Sequence, residues 1–434
     1  MKRIVSLLLA LVFIVGLVSC KPGNASSSDS PESLPPSSSH ISSLDPSSSD
    51  IQSSSRPSSS VSSSDEESNA IVSSNGYYCY SFLSDRQKEY YTRMATAVSE
   101  LDSHWIILGD ADETYQSDIA VAREALSVDR PDIFWMPAHF STAKTTDGKA
   151  AIRFSRDADT GEDSEDSPAY LISRAEKLSA AEKLNDAVAK IVSQITATEP
   201  YEIELQLHDI LCQHITYSAN KADPMVYTAY GALVDGQALC EGYSRAMQLL
   251  LRHFGISSTL VTGTARGEGH MWNLVNLGGE WYHLDVTWDD LSSVSHEYFN
   301  LSDEQVLLDH AISGNHTVLS SSALASGVTS FNIGVPSCAA SAQNYFIRTG
   351  FTYHKDSPEG LLDLMASTAD TMVEVRFATI EERNLFADSA AQTIEALNTL
   401  LTERHPTATF YIGGYSVSTS VLRLYKTEYN KTTD

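Results

Sequence analysis

Cys240, His270 and Asp285 follow one another along this 434-residue chain as a nucleophile, a proton acceptor and a carboxylate able to orient it. A thiol attacks well only as the thiolate, which forms where positive charge or a helix N-terminus favours it. Cys240 opens CEGYSRAMQLLLRHFG, where Ala246, Met247, Leu249, Leu250 and Phe254 recur at helical spacing and Gly255 stands where a left-handed C-cap belongs. The cysteine therefore falls at or near a helix N-terminus. Unpaired amides and the helix macrodipole favour its charged form there, and the same amides can receive an oxyanion.

A thiolate needs a base that is itself held in place, and GHMWNLVNLGGEWYHLDVTWDD supplies a candidate. Two alternating stretches flank Gly278 and Gly279, a two-residue hairpin signal. With those glycines as the turn, Leu277 faces Glu280, Asn276 faces Trp281, Trp272 faces Asp285 and His270 faces Thr287. Side chains two apart share a face, so His270 and Asp285 are expected as diagonal neighbours within reach of an imidazole-carboxylate hydrogen bond. The other ring nitrogen is then expected to address Cys240. A one-residue slip would separate the pair onto opposite faces.

The same stretch carries other groups. His283 shares the face of Asp285, which raises a metal site of Cys240, His270, His283 and Asp285; no short-spaced ligand pair supports it, and no metal or cofactor is expected. Trp272, Trp281, Tyr282 and Trp288 read either as core packing or as a wall for a substrate. Asp289 and Asp290 are expected to cap the strand end.

The elements that must hold these residues in place set the organisation of the chain. Residues 1–20, MKRIVSLLLALVFIVGLVSC, read as an export signal, with Lys2 and Arg3 ahead of an apolar run too short for a comfortable span. Residues 21–76 are dominated by serine and read as an extended tether, with too little apolar surface to offset the entropy of ordering. Residues 77–195 are expected to be mostly helical, 196–320 to form the core that carries the three residues, and 321–434 to form a small α/β domain. His208 and Cys212, on the apolar face of EIELQLHDILCQHITYS, read as core filling, and DADTGEDSED near residue 160 as a solvated loop.

Charge and cysteine usage exclude some functions. The formal net charge is -27, and no basic stripe with interleaved aromatics is present, so nucleic acid and electrostatic docking on anionic lipid are not expected. The five cysteines, Cys20, Cys79, Cys212, Cys240 and Cys338, include no CxxC pair and no tight disulfide spacing. A structural zinc site is therefore unsupported.

Leu17-Val18-Ser19-Cys20 resembles the bacterial lipobox. That implies lipidation of Cys20 and a chain held on the outer face of the bacterial membrane, touching it only through the anchor. The blocks AYGALVDGQALCEGYSRAMQLLLRHFGI and GEGHMWNLVNLGGEWYHLDVTWDD resemble the core motifs of the transglutaminase-like superfamily over roughly Tyr201 to Leu301. The resemblance implies an α+β fold of papain-like type, with the helix carrying Cys240 packed on an antiparallel sheet carrying His270 and Asp285. It maps the nucleophile to Cys240, the general base to His270 and the orienting acid to Asp285. A second oxyanion donor stays open between Gln237 and Tyr230. The implied chemistry is acyl transfer from a peptide or protein amide, cell-wall peptide among the candidates, through a thioester on Cys240. Hydrolysis is slightly favoured over transfer to an amine, and a monomer is expected. The alternative is a catalytically idle binding or scaffold protein of the same fold.

Overall fold

The computed structural model describes residues 77–137, 139–155, 170–313 and 335–429. The leader, Cys20, the serine-rich stretch and the acidic stretch near residue 160 lie outside the described residues. Those described fall into two compact units, 77–290 with 300–313 and 335–340, and 291–299 with 341–429.

The larger unit begins, after a single helical turn, with α1 (Asp85–Ser99). Ser84 opens it: its hydroxyl accepts from the Gln87 amide while the Gln87 side chain accepts from the Ser84 amide. Next come β1 (Ile106–Asp110), α2 (Tyr115–Asp129), β2 (His139–Lys144) and β3 (Lys149–Ser155). The region read as mostly helical thus also holds an antiparallel sheet in the order β1-β3-β2. Its central strand escapes the period-2 pattern because Ala150, Ala151, Ile152 and Phe154 of β3 are buried in an almost unbroken run. No unit boundary falls at residue 195; α3 (Arg174–Val192) and α4 (Pro200–His214) belong to the same body as the residues after them.

Helix α4 starts on Pro200, whose missing N–H costs nothing at a first turn, and it buries Ile203, Leu207 and Leu211. Glu204 shares that buried side. Burial pushes its carboxyl up to about 8 against the pull of the Asn300 amide, which donates to Oε2 at 2.8 Å. Glu204 Oε1 and Asn300 Oδ1 lack any other hydrogen-bond partner, which fits a protonated acid closing a two-bond pair with the amide. A carboxyl protonated in the fold and ionised when unfolded makes stability fall as pH rises from its unfolded value near ~4.3 to about 8. Replacing Glu204 with Gln is expected to flatten the pH slope of unfolding free energy across that window by up to about 1.4 kcal/mol per pH unit. Urea titrations at pH 5 and pH 8 check this; parallel wild-type and variant slopes would refute the protonated pair.

Helix α5 (Cys240–His253) buries Tyr243, Ala246, Met247, Leu250 and Leu251. It lies on a four-stranded antiparallel sheet built from β4 (Ser258–Ala265), β5 (Glu268–Leu277), β6 (Glu280–Leu284) and β7 (His310–Ile312), in the order β6-β5-β4-β7. Met247, Leu250 and Leu251 are each worth about 1.5–3 kcal/mol when removed from water, so the helix is anchored along its length. Gly255, at φ 72°, ends it in the left-handed conformation expected of a C-cap. Its first turn has no room for a side chain at Gly242, where a Cβ would meet the Val226 carbonyl oxygen at 2.6 Å. Among the described residues, no helix is long and apolar enough to cross a membrane.

The smaller unit has α6 (Glu359–Ser367), β8 (Met372–Phe377), α7 (Ile380–Asp388), α8 (Ala390–Arg404), β9 (Phe410–Val417) and β10 (Val421–Glu428). Its sheet runs from the short strand Thr352–Tyr353 through β8 and β10 to β9. Helices α7 and α8 meet at Ser389, which closes one and opens the other. Residues 291–299, placed with the core on sequence, instead belong here. Arg423 of β10 explains why: its guanidinium reaches Glu374 Oε1 at 2.9 Å and Glu297 Oε2 at 3.0 Å, while Ser295 donates to Glu374 at 2.7 Å. The sequence boundary at 320/321 falls outside the described residues.

Candidate active site

Cys240 is the first residue of α5 and is half-buried, whereas Cys79, Cys212 and Cys338 are buried; all four are free. Two polar side chains stitch its helix to the strand that carries the base. The Ser244 hydroxyl lies 2.8 Å from the Cys240 carbonyl and 3.1 Å from that of Met271, and Asn273 Nδ2 donates to the Ser244 carbonyl at 2.9 Å. The helix start and β5 are thereby fixed in register.

His270 stands on β5 opposite Gly263, where a Cβ would strike the Ala311 carbonyl oxygen at 2.0 Å. Its Nε2 hydrogen-bonds Asp285 Oδ2 at 2.6 Å, which leaves Nδ1 as the ring nitrogen free to address Cys240, close enough to add to the proton affinity of the imidazole. Burial alone would keep His270 neutral; the Asp285 carboxylate and the Cys240 sulfur outweigh it and hold the imidazole up to about 10. Asp285 is buried too, which by itself raises a carboxyl, yet the His270 and His310 imidazoles hold it well below the ordinary carboxylate range.

The hairpin pairs as expected from Leu277 opposite Glu280 down to Asn273 opposite Leu284. Beyond that the expectation needs correction. Asp285 lies just past β6 rather than on it, because its Oδ1 accepts from the Trp288 amide at 3.2 Å and starts a single helical turn, Val286–Asp289. The carboxylate still reaches His270, from a cap rather than from a ladder position.

The remaining candidates sort as follows. His283 turns away from the site: Trp272 Nε1 donates to its Nδ1 at 2.9 Å, and its Nε2 meets Asp303 Oδ1 at 2.9 Å. Cys240, His270, His283 and Asp285 therefore do not form one donor set. Trp272 and Tyr282 are core, with Trp272 stacked on His270 at 5.7 Å between ring centres. Trp288 is only half-buried, and lies 5.8 Å from the His270 ring with the Arg266 guanidinium 4.5 Å from its own. Asp289 and Asp290 do not cap the strand: Asp289 is buried against His208 Nε2 at 3.3 Å, and Asp290 accepts from the Tyr243 hydroxyl at 2.5 Å. His208 and Cys212 are buried, as core filling requires, but in a polar cluster with Asp289. Of the two open oxyanion candidates, Tyr230 packs its ring on Phe134 at 4.6 Å, and Gln237 is exposed in a two-residue strand just before Cys240.

Sequence reasoning missed His310. It is buried on β7, and its Nε2 lies 3.2 Å from the same Asp285 Oδ2 that binds His270. Nothing in EQVLLDHAIS marks this histidine, because the contact depends on β7 pairing at the far side of β4, Ala265 opposite His310.

A half-buried thiol at a helix N-terminus, an imidazole on its neighbouring strand and a carboxylate behind that imidazole thus stand together on an α+β scaffold. Residues 189–286 match the family model described as transglutaminase-like superfamily. All three residues lie inside the match. Kyphoscoliosis peptidase of Homo sapiens is 26% identical over 117 residues, which cover 23% of this chain and 18% of that protein. The Mus musculus form is 28% identical over 93 residues, 18% of this chain and 14% of the other. The chain thus aligns with less than a fifth of the length of these relatives. A crystal structure of a TGase aligns over 41% of this chain and 48% of its own, at 10% identity and a TM-score of 0.24.

Proposed function

We propose that the protein is a cell-surface thiol enzyme acting on amide bonds, with Cys240 as nucleophile, His270 as general acid and base, and Asp285 as the residue that orients His270. One observation carries the reading: a single buried imidazole hydrogen-bonds Asp285 through Nε2 at 2.6 Å and lies close enough to Cys240, the first residue of α5, for the sulfur to raise its proton affinity. That arrangement lets His270 take the thiol proton and later deliver it to a departing amine. The Cys240 sulfur attacks the amide carbonyl, the N-terminal amides of α5 receive the oxyanion, and a thioester forms as the amine leaves with the proton. Water or a second amine then resolves the thioester, giving hydrolysis or cross-linking. Hydrolysis is favoured slightly, since at an extracellular site with no evident device for positioning an amine, bulk water is the most abundant acceptor.

The surface placement rests on the leader and on the lipobox-like run ending at Cys20, with 21–76 as the tether that holds the folded units away from the lipid. The strongly acidic chain favours a neutral or cationic peptide over nucleic acid as its partner.

Iodoacetamide labelling against pH tests the reading without any known substrate. Cys240 is expected to alkylate well below pH ~8 and to lose that behaviour in His270→Ala. A labelling profile like that of a free thiol near ~8.5, unchanged in the variant, would leave only a catalytically idle binding protein. Incubation with a peptide panel, with and without a primary amine, followed by mass spectrometry of the thioester and products, separates hydrolysis from transamidation.

A further inference from the structure

Asp285 serves two imidazoles, and the second one is unusual in its surroundings. His310 Nε2 lies 3.2 Å from Asp285 Oδ2, and its Nδ1 lies 2.7 Å from Asp309 Oδ1. A carboxylate only accepts, and a neutral imidazole has one N–H to give. Two carboxylate partners on two ring nitrogens are both satisfied when both nitrogens carry protons, so the geometry is that of an imidazolium. Burial opposes charge on His310, but the two carboxylates outweigh it and raise its proton affinity. The other charged and titratable groups around it fit the same state. Arg266 approaches Asp309 Oδ2 at 3.6 Å, the His270 ring lies 5.6 Å away, and the proximity of His310 helps keep His283 neutral, after burial, which is the larger cause. Trp288 covers His310 at 4.8 Å between ring centres.

We propose that His310, held as an imidazolium between Asp285 and Asp309, is a positioning residue of the site, pinning the Asp285 carboxylate and drawing part of its charge away from His270. The inference deepens the thiol-enzyme reading and rests on it. A lone carboxylate at 2.6 Å from a buried imidazole would hold the proton so tightly that the imidazolium becomes a poor acid toward the departing amine. A second cation on the same oxygen weakens that hold. It also fixes Oδ2 from a second direction, so the carboxylate cannot swing out of line with His270 while Oδ1 keeps the Trp288 amide.

The test is the pH profile of Cys240 alkylation, read at its upper inflection, where the His270 imidazolium loses its proton. Removing a positive charge about 5–6 Å from His270, in His310→Gln, is expected to move that inflection up by about one pH unit. His310→Lys, which restores the charge, is expected to bring it back toward the wild-type position. A residue that merely fills space would change the amplitude and leave the inflection in place in both variants, and that outcome overturns the proposal. Histidine ring 15N NMR on the wild-type protein supplies a measurement that needs no variant. Both His310 nitrogens are expected to stay protonated up to the pH at which His270 loses its proton; a His310 that gives up a proton before His270 overturns the proposal equally. Failure of the underlying reading looks different: Cys240 of the wild type would then alkylate as an ordinary thiol whatever stands at 270.

Discussion

Asp285→Asn is expected to leave the protein folded and to lower kcat/KM on any amide substrate found by thioester trapping by on the order of ten-thousand-fold. The reason lies in how many donors this one carboxylate serves. Oδ2 accepts from His270 at 2.6 Å and from His310 at 3.2 Å, while Oδ1 accepts from the Trp288 amide at 3.2 Å. Asparagine offers one oxygen and one NH2 group. If the oxygen faces the histidines, the NH2 group confronts the Trp288 N–H and the helical turn loses its cap. If it faces Trp288, the NH2 group confronts His270 Nε2 and selects the tautomer with its proton on Nδ1, facing the sulfur it should deprotonate. Either way the imidazolium formed in the reaction loses its counter-charge. Thermal melts alongside the kinetics separate this from unfolding. Turnover within tenfold of wild type would remove Asp285 from the mechanism.

The features that were legible in the sequence are those that local periodicity or turn chemistry specifies. Gly278 and Gly279 set the hairpin register, and five observed pairs from Leu277 opposite Glu280 to Asn273 opposite Leu284 follow from that turn. Helix α5 announces itself through its apolar face and Gly255. What was not legible depends on contacts made at long range. The strand β3 is buried in a nearly continuous apolar run, so it does not alternate, and its partner β2 follows a proline-containing stretch that reads as a junction. Residues 291–299 look continuous with the core until Arg423, more than a hundred residues later, is seen to hold Glu297. His310 is the functional counterpart of that lesson. Its role is set by β7 adding to the sheet beyond β4, a choice made by tertiary packing and by the space at Gly263, where the Ala311 carbonyl passes too close for any side chain.

His270→Ala should produce the larger loss, because it removes the acid and the base together. Amide turnover is expected to fall by on the order of ten-thousand-fold or more, and Cys240 alkylation at pH 6 by orders of magnitude, since the sulfur then has no imidazole to take its proton. The same variant carries a stability signature with a definite sign. His270 is held up to about 10 in the fold, so its pairing contributes in full below its unfolded value near ~6.5 and is lost as pH rises through about 10. Asp285 is held low, so its share is present above its unfolded value near ~3.9 and is lost as pH falls further. The difference in urea midpoint between wild type and His270→Ala is therefore expected to be widest near pH 5 to 6 and to shrink toward pH 10, above a pH-independent remainder from the vacated space beside Trp272 and Trp288. A gap that stays flat across that range would mean that the two side chains do not share charge in the folded protein. The short His270–Asp285 contact would then be packing, and the chemistry assigned to it would have no source.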